Sequence, residues 1–278
     1  MSPKGPKQKH AVSEAGSEPV AAAQNMLIGE RRQHVMRLLE RDGRVLVSEL
    51  STQLGISPIT IRKDLDYLES KGLVERTHGG ALAPQKTAML DRPLKEKESQ
   101  QTREKQLIAE AAASLVQEGQ CVLLDSGTTT TAVAKELRRF SNLTIVTNAL
   151  NIAAELSDTD FDIILIGGNL RKNAFSLVGP LAEDVLREIH ADILFLGVDG
   201  FDVETGITTP SVQEARVNRV MANVSRKVVA VCDSTKFSRR SLALIIPPSA
   251  VHKVITDSNI DAKTKQALEA AGVSVVTV

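Results

Sequence analysis

The sequence predicts an α/β protein with two domains: a small helical domain at the N-terminus and a larger domain built on a mostly parallel sheet. A length of 278 residues suits about two domains. Near the N-terminus, apolar side chains recur at helical spacing, whereas the remainder alternates short Val/Ile/Leu runs with helix-like segments. That alternation is typical of a parallel sheet buried on both faces.

The composition narrows the class of protein. No apolar run approaches the roughly 20 residues of a membrane span. Residues 1–25 carry lysines without a contiguous apolar stretch, so they are predicted to be a disordered polar tail and not a secretory signal. Cys121 and Cys232 each lie in or at the end of an apolar run, as buried structural thiols do. We therefore expect a cytoplasmic protein with no membrane partner.

Residues 26–83 are predicted to form three helices followed by a short β-like run and a turn at Gly79-Gly80. The first helix covers Gly29–Asp42, and the second, in Val47–Leu54, ends at Gly55. The third has complete start and stop signals, because Ser57 can cap it, Pro58 suits its first position, and Gly72 closes it.

Two short helices joined by a three-residue turn that contains glycine are typical of a helix-turn-helix, whose second helix enters the DNA major groove. The following run LVERTHGGAL suits a wing. A small three-helix packing unit with solvated charges is the alternative interpretation. Under the first, the predicted DNA contacts are Ser48, Ser57, Ile59, Thr60, Arg62, Lys63, Arg76 and His78.

The stretch from Glu30 to Leu82 resembles the winged helix-turn-helix of the DeoR family of bacterial transcriptional regulators. The usual recognition-helix core of that family is Thr-Ile-Arg-Arg-Asp-Leu, and here it reads Thr60-Ile61-Arg62-Lys63-Asp64-Leu65. Lys63 departs from the pattern and lacks the bidentate fork of arginine. The resemblance implies that Arg62 reads a base and that Lys63 contacts phosphate.

Residues 84–103 are rich in charge, glutamine and proline and have no apolar period, which predicts an interdomain linker, helical in part. The second domain is then predicted to cover residues 104–278. Its polar and glycine residues cluster where the apolar runs end, and ligands bind open α/β sheets at the carboxyl ends of the strands. The five clusters are Asp125-Ser126-Gly127, Thr147-Asn148, Gly167-Gly168, Asp199-Gly200 and Asp233-Ser234-Thr235-Lys236.

The loop Ser126–Thr130 has more hydrogen-bonding capacity than a turn requires. A glycine-containing loop that leads into a helix presents backbone N–H groups and the positive end of the helix dipole to an anion. It lacks the lysine of a nucleotide-triphosphate P-loop, so a single phosphate on a small ligand suits it better. A threonine-rich helix cap without a ligand is the alternative.

Two residues allow two interpretations each. Ser211 and Glu214 fit a capping box, yet Glu214 also heads an inward-facing stripe, so it can close its helix, contact a ligand, or do both. Lys236 follows a strand end and is either a solvated lysine or a cation for the phosphate.

The second domain also resembles the DeoR family, through its segments DSGTTT, IVTNA, LIGGNLR, LVGPLAE, GVDGFDVETGITTP, EARVNRVM and CDSTKF. The resemblance implies a sugar-phosphate-sensing domain similar in fold to ribose-5-phosphate isomerase. The implied effector-binding positions are Asp125, Ser126, Gly127, Thr128, Thr129, Thr130, Thr147, Asn148, Gly167, Gly168, Asp199, Gly200, Glu214 and Lys236.

Two functions remain open from the sequence. The first is a transcriptional regulator, usually a repressor in this family, that binds double-stranded operator DNA as a homo-oligomer and is released by a phosphorylated sugar. It requires no cofactor, metal or catalytic residue. The second is a sugar-phosphate isomerase or deaminase, for which Asp199, Glu214 and Asp233 are candidate general bases.

Overall fold

The computed structural model describes residues 27–71, 73–77, 79–82 and 91–278. The chain forms two compact units, residues 1–85 and 86–278. The predicted tail, residues 84–90 of the predicted linker, and Gly72 lie outside the described residues.

The first unit is a winged helix-turn-helix, as predicted. Its helices and strands follow the order α1 (Ile28–Asp42), β1 (Arg44–Leu46), α2 (Val47–Leu54), α3 (Pro58–Ser70), β2 (Glu75–Thr77) and β3 (Gly80–Leu82). The three strands pair antiparallel in the order β1–β3–β2. The apolar faces of the three helices share one buried core that includes Val35, Leu39, Leu50, Ile61 and Leu65.

Local signals in the sequence explain these boundaries. Helix α1 ends at Gly43, whose left-handed backbone (φ 71°) lets its N–H donate to the carbonyl of Leu39. Helix α3 begins at Ser57, whose side chain accepts from the N–H of Thr60 at 3.2 Å. Gly80 is required where β3 pairs with β1, because a Cβ there would lie 1.9 Å from the carbonyl oxygen of Val45.

Asp64 ties α3 to α1. Its carboxylate, with 2% of the side chain exposed, accepts from Nε of Arg31 at 2.5 Å and from Nε of Arg32 at 2.9 Å. The Arg32 guanidinium also lies over the ring of Tyr67, 3.6 Å from its centroid. These contacts hold α3 against α1, and side chains on the opposite face of α3, such as Arg62 and Lys63, are exposed.

The second unit contains the mostly parallel sheet that was predicted. In chain order its helices and strands are α4 (Leu94–Glu98), α5 (Thr102–Ala113), β4 (Cys121–Leu124), α6 (Thr128–Leu137), β5 (Thr144–Thr147), α7 (Leu150–Leu156), β6 (Asp162–Leu165), β7 (Asn169–Arg171), β8 (Ser176–Val178), α8 (Pro180–Arg187), β9 (Ile193–Gly197), β10 (Gly200–Asp202), β11 (Gly206–Thr209), α9 (Val212–Asn223), β12 (Val228–Val231), β13 (Ala243–Ile246), β14 (Lys253–Thr256), α10 (Ala262–Ala270) and β15 (Ser274–Thr277). The sheet has seven parallel strands in the order β15–β14–β12–β9–β4–β5–β6.

Helices cover both faces of this sheet. Ile108 of α5 and Val133 of α6 belong to one buried cluster, and Leu186 of α8 and Met221 of α9 belong to the other. Successive strand residues alternate between the two clusters, which explains why the strands read as continuous apolar runs. None of the helices in the described part of the chain is long and apolar enough to cross a membrane.

Three features were not predicted. Strands β7 and β8 form a hairpin, β10–β11–β13 form a small antiparallel sheet, and α8 follows the hairpin. In addition, residues 91–103, predicted as linker, belong to the second unit. Leu94 is buried there, and its N–H donates to the carbonyl of Asn173 at 2.7 Å.

Candidate functional site

A pocket with about 820 Å³ of empty space, part of it open to solvent, lies in the second unit beside the carboxyl ends of β4, β9 and β12. It is where parallel α/β sheets place ligands. The predicted effector residues that line it are Asp125, Ser126, Gly127, Thr128, Thr129, Asp199, Glu214 and Lys236.

Three predicted effector residues are buried, and their side chains donate to backbone carbonyls. Thr147 and Asn148 lie at the end of β5, whereas Thr130 lies in the first turn of α6. Thr130, Thr147 and Asn148 donate to the carbonyls of Gly127, Leu124 and Leu177, at 3.0, 2.8 and 3.1 Å respectively. These three residues are not among those that line the pocket, and their contact with an effector stays a prediction.

Three predicted glycines also lie away from the pocket. Gly167 is exposed, with nothing within 4 Å of the position that a Cβ would occupy. Gly168 starts the turn into β7 with φ +131°, and Gly200 packs in β10 where a Cβ would lie 2.8 Å from the carbonyl oxygen of Arg239. Backbone geometry accounts for the last two.

The polar groups of the loop Ser126–Thr130 and of the adjoining Thr131 have two roles. Hydroxyls of Thr130 and Thr131 donate to the carbonyl of Gly127 and fix the start of α6. Thr128 and Thr129 line the pocket. The first N–H groups of a helix have no acceptor within it, so the amino end of α6 offers donors and a positive dipole end beside the pocket.

Glu214 lies in the first turn of α9, and its side chain reaches the pocket. The backbone N–H of Glu214 donates to the Ser211 hydroxyl at 3.3 Å, so the helix is capped by Ser211 and not by the Glu214 carboxylate. Its carboxylate accepts from the hydroxyls of Ser126 at 3.1 Å and Thr209 at 2.7 Å, and pairs with Nη1 of Arg171 at 2.7 Å. Burial raises the pKa of Glu214, although the Arg171 guanidinium opposes the rise.

Asp199 is held by a lysine from the segment before α5. Nζ of Lys97 donates to its Oδ1 at 2.7 Å. Burial would raise the pKa of Asp199, but the Lys97 ammonium outweighs it and holds that pKa below the ordinary value. Burial would likewise lower the pKa of Lys97, but Asp199 and the neighbouring carboxylates raise it. Both groups are therefore charged at neutral pH.

Asp125 is a buried carboxyl of the pocket. Its Oδ2 accepts from the side-chain amide of Asn218 at 2.9 Å. Burial first, and then the neighbouring charge of Glu214, raise the pKa of Asp125 well above its ordinary value. The pKa values of Asp125 and Glu214 are thus shifted upward, whereas that of Asp199 is shifted downward.

Five cationic side chains from the described residues line the pocket, and they differ in their partners. Lys97 and Arg171 pair with carboxylates. Lys105 donates to the backbone carbonyls of Lys97 and Gln100 at 2.5 Å each. Within the described part of the chain, the side chains of Arg92 and Lys236 have no ion-pair or hydrogen-bond partner. Lys236 thus fits the cation interpretation better than that of a solvated lysine.

Sequence reasoning missed several residues that line the pocket: Asp91, Arg92, Lys97, Lys105, Arg171, Thr209 and Asn218. The last three stand inside the segments LIGGNLR, GITTP and EARVNRVM, which supplied a signal that strand-end reasoning did not use. Among the described residues, no cluster of His, Cys, Asp and Glu is arranged to hold a metal ion.

The first unit presents the residues predicted to contact DNA, with two exceptions. Thr60 is partly exposed, and the exposed ones are Ser48, Ser57, Ile59, Arg62 and Lys63. Arg76 instead braces the wing against α3, because its Nε donates to Asp66 at 2.9 Å and its Nη1 donates to the carbonyl of Gly80. His78 lies outside the described residues.

Comparison with known proteins agrees with both units. The family model for the DeoR-like helix-turn-helix domain matches residues 31–87. The model for the DeoR C terminal sensor domain matches residues 100–258. Among solved structures, ribose 5-phosphate isomerase A of Methanocaldococcus jannaschii aligns with 48% of this chain and 53% of its own, at 16% identity and a TM-score of 0.37, a similarity that supports no conclusion about activity.

Three curated relatives cover nearly the whole chain. The HTH-type transcriptional regulator GlpR of Haloferax volcanii is 40% identical over 90% of this chain and 98% of its own. GolR of Listeria innocua, also an HTH-type transcriptional regulator, is 36% identical over 88% and 97%. The glycerol-3-phosphate regulon repressor of Escherichia coli K12 is 35% identical over 82% and 90%.

These relatives are named regulators, so the isomerase alternative left open by the sequence gives way to transcriptional regulation. The two family models follow each other in the order of the two units. The chain belongs to the DeoR family of transcriptional regulators.

Proposed function

We propose that the protein represses a carbohydrate-utilisation operon and leaves its operator when a phosphorylated sugar binds the pocket of the second unit. The observation that carries the proposal is the pocket itself. It combines the amino end of α6 with Lys236, a cation that has no partner among the described residues. The repressor named for the glycerol-3-phosphate regulon supports a phosphorylated ligand by analogy.

The charges of the pocket suit a ligand with one anionic end and several hydroxyls. A phosphate beside α6 gains from the helix dipole, the free N–H groups and the Lys236 ammonium. Carboxylates such as Asp199 can accept hydrogen bonds from sugar hydroxyls. A neutral sugar lacks the anion that the α6 end favours.

The expected size of the response follows from linkage. An allosteric ligand typically changes the affinity of a second site by about 1–3 kcal/mol, which corresponds to about 5–150-fold. The proposal is tested by adding phosphorylated sugars to the protein–operator complex and measuring release of the DNA.

Arg62 and Lys63 should behave differently in DNA binding. Arg62→Ala should weaken operator binding by about 1–3 kcal/mol and relax preference at one base pair, because a bidentate contact to a base is lost. Lys63→Ala should weaken operator and random DNA to a similar degree and lower the salt slope by about one unit, because a phosphate contact is lost. Salt titrations of both variants on both DNAs check this, and identical behaviour would show that the roles are wrongly assigned.

We also propose that the protein binds DNA as a homo-oligomer, on an operator with inverted or repeated half-sites. One helix-turn-helix contacts few base pairs, and dimers of this class bind half-sites related by the symmetry of the protein. Sedimentation at the concentrations that give specific binding should show an oligomer. A monomer that binds one operator specifically at those concentrations would contradict the proposal.

A further inference from the structure

Residues 91–98, which we call the strap, run across the pocket of the second unit. Leu94 anchors the strap, since it is buried and its N–H donates to the carbonyl of Asn173 at 2.7 Å. The strap is also the first part of the second unit that the structure describes after residues 83–90, through which the chain leaves the DNA-binding unit.

Two ion-paired connections join the strap to effector residues. Arg171 bridges Asp91 of the strap and Glu214, with Nη2 at 2.8 Å from Asp91 and Nη1 at 2.7 Å from Glu214. Lys97 of the strap pairs with Asp199 at 2.7 Å. The strap is therefore connected by ion pairs to carboxylates that line the pocket. A ligand in the pocket would lie beside these ion pairs.

One strap cation lacks such a partner. The Arg92 guanidinium lines the pocket and is partly buried, yet it makes no ion pair or hydrogen bond with any residue that the structure describes. Lys236, which follows β12, lines the same pocket and likewise has no ion-pair or hydrogen-bond partner among the described residues. Arginine binds phosphate through a bidentate fork, so an anion in this pocket can pair with Arg92 as well as with Lys236.

We propose that the strap closes over the bound phosphorylated sugar and that Arg92 binds its phosphate together with Lys236. This inference rests on the proposed function, because it takes the ligand to be a phosphate ester in this pocket. The phosphate then fixes the segment through which the chain arrives from the DNA-binding unit. In this way the strap responds directly to the binding of the ligand.

Hydrogen exchange on the full-length protein tests this, with inorganic phosphate as the probe and chloride at matched ionic strength as the control. In the wild type, phosphate should slow exchange both in the strap peptide and in the peptide that contains Ser126–Thr130. In Arg92→Ala, slowing of the strap should require about tenfold more phosphate or more, as expected when a charge-assisted contact is lost. Lys95→Ala is the matched control, since Lys95 is an exposed strap cation that does not line the pocket. It should respond as the wild type does.

The outcomes separate this inference from the proposed function. If phosphate slows the Ser126–Thr130 peptide but leaves the strap unchanged, the anion site exists and the strap inference is wrong. Equal responses of Arg92→Ala and Lys95→Ala would also overturn the role of Arg92. If neither peptide responds in the wild type, both the strap inference and the anion site fail. Unchanged exchange in β4 and β9 shows that each variant is folded.

Discussion

Replacing Asp64 with alanine is expected to destabilise the DNA-binding unit by about 3–5 kcal/mol and to abolish operator binding. The carboxylate of Asp64 is the buried partner of both Arg31 and Arg32, and its loss leaves a largely buried guanidinium uncompensated. A unit this small rarely has more than about 3–5 kcal/mol of stability. The change should therefore unfold it even though Asp64 is buried against α1 and is not among the predicted DNA contacts.

Asp66→Ala is the control for this prediction. Asp66 lies in the same helix and pairs with Arg76 at 2.9 Å, but its side chain is 61% exposed. Exposed pairs contribute about 0–1 kcal/mol, so the variant should stay folded. Hydrogen exchange of α1 and α3 measures the loss, while the sheet of the second unit should exchange as before. Comparable destabilisation by the two variants would contradict the conclusion that Asp64 stabilises the unit by tying α3 to α1.

Replacing Gly127 with valine is expected to abolish release of DNA by the effector while leaving operator affinity unchanged. The backbone of Gly127 is extended (φ 162°, ψ 165°), a conformation open to any residue, so the unit should fold. A Cβ there would lie 3.2 Å from Oγ1 of Thr130, and the branched methyl groups would obstruct the phosphate beside the amino end of α6. The residues predicted to contact DNA belong to the other unit.

Gly167→Val is the matched control, because Gly167 follows another strand of the same sheet but lies exposed and away from the pocket. Its response to effector should equal that of the wild type. Lys236→Ala should shift the response to higher effector concentration without abolishing it, since one charge-assisted contact contributes about 1.5–3 kcal/mol. Titrations of operator release measure all three variants, and a normal response of Gly127→Val would exclude the loop as the phosphate site.

The parts of the fold that could be predicted are those with local signals. The three helices of the first unit carry their own caps and breaks, such as Ser57, Pro58 and Gly55. The sheet strands are continuous apolar runs because helices bury both faces. The strand-end rule then located the pocket, since Asp125 and Asp199 do lie at one edge of the sheet.

What could not be predicted depends on pairing between distant residues. The strap reads as a solvated charged segment, because nothing near Lys97 in the sequence indicates that its partner is Asp199. The strand-end rule also selected residues that do not line the pocket. Thr147 ends one strand and Asp125 follows another, but the hydroxyl of Thr147 donates to the carbonyl of Leu124. Sequence alone does not distinguish a polar group that serves the backbone from one that serves a ligand.

The central claim is that the pocket converts binding of a phosphate ester into release of DNA. The direct measurement is operator release by the wild-type protein as a function of a phosphorylated sugar, with the same sugar lacking its phosphate as the control. A phosphorylated sugar that releases DNA while its free form does not is the predicted result, because only the anion gains from the amino end of α6 and from Lys236. Release by the free sugar as strong as release by its phosphate would contradict the claim.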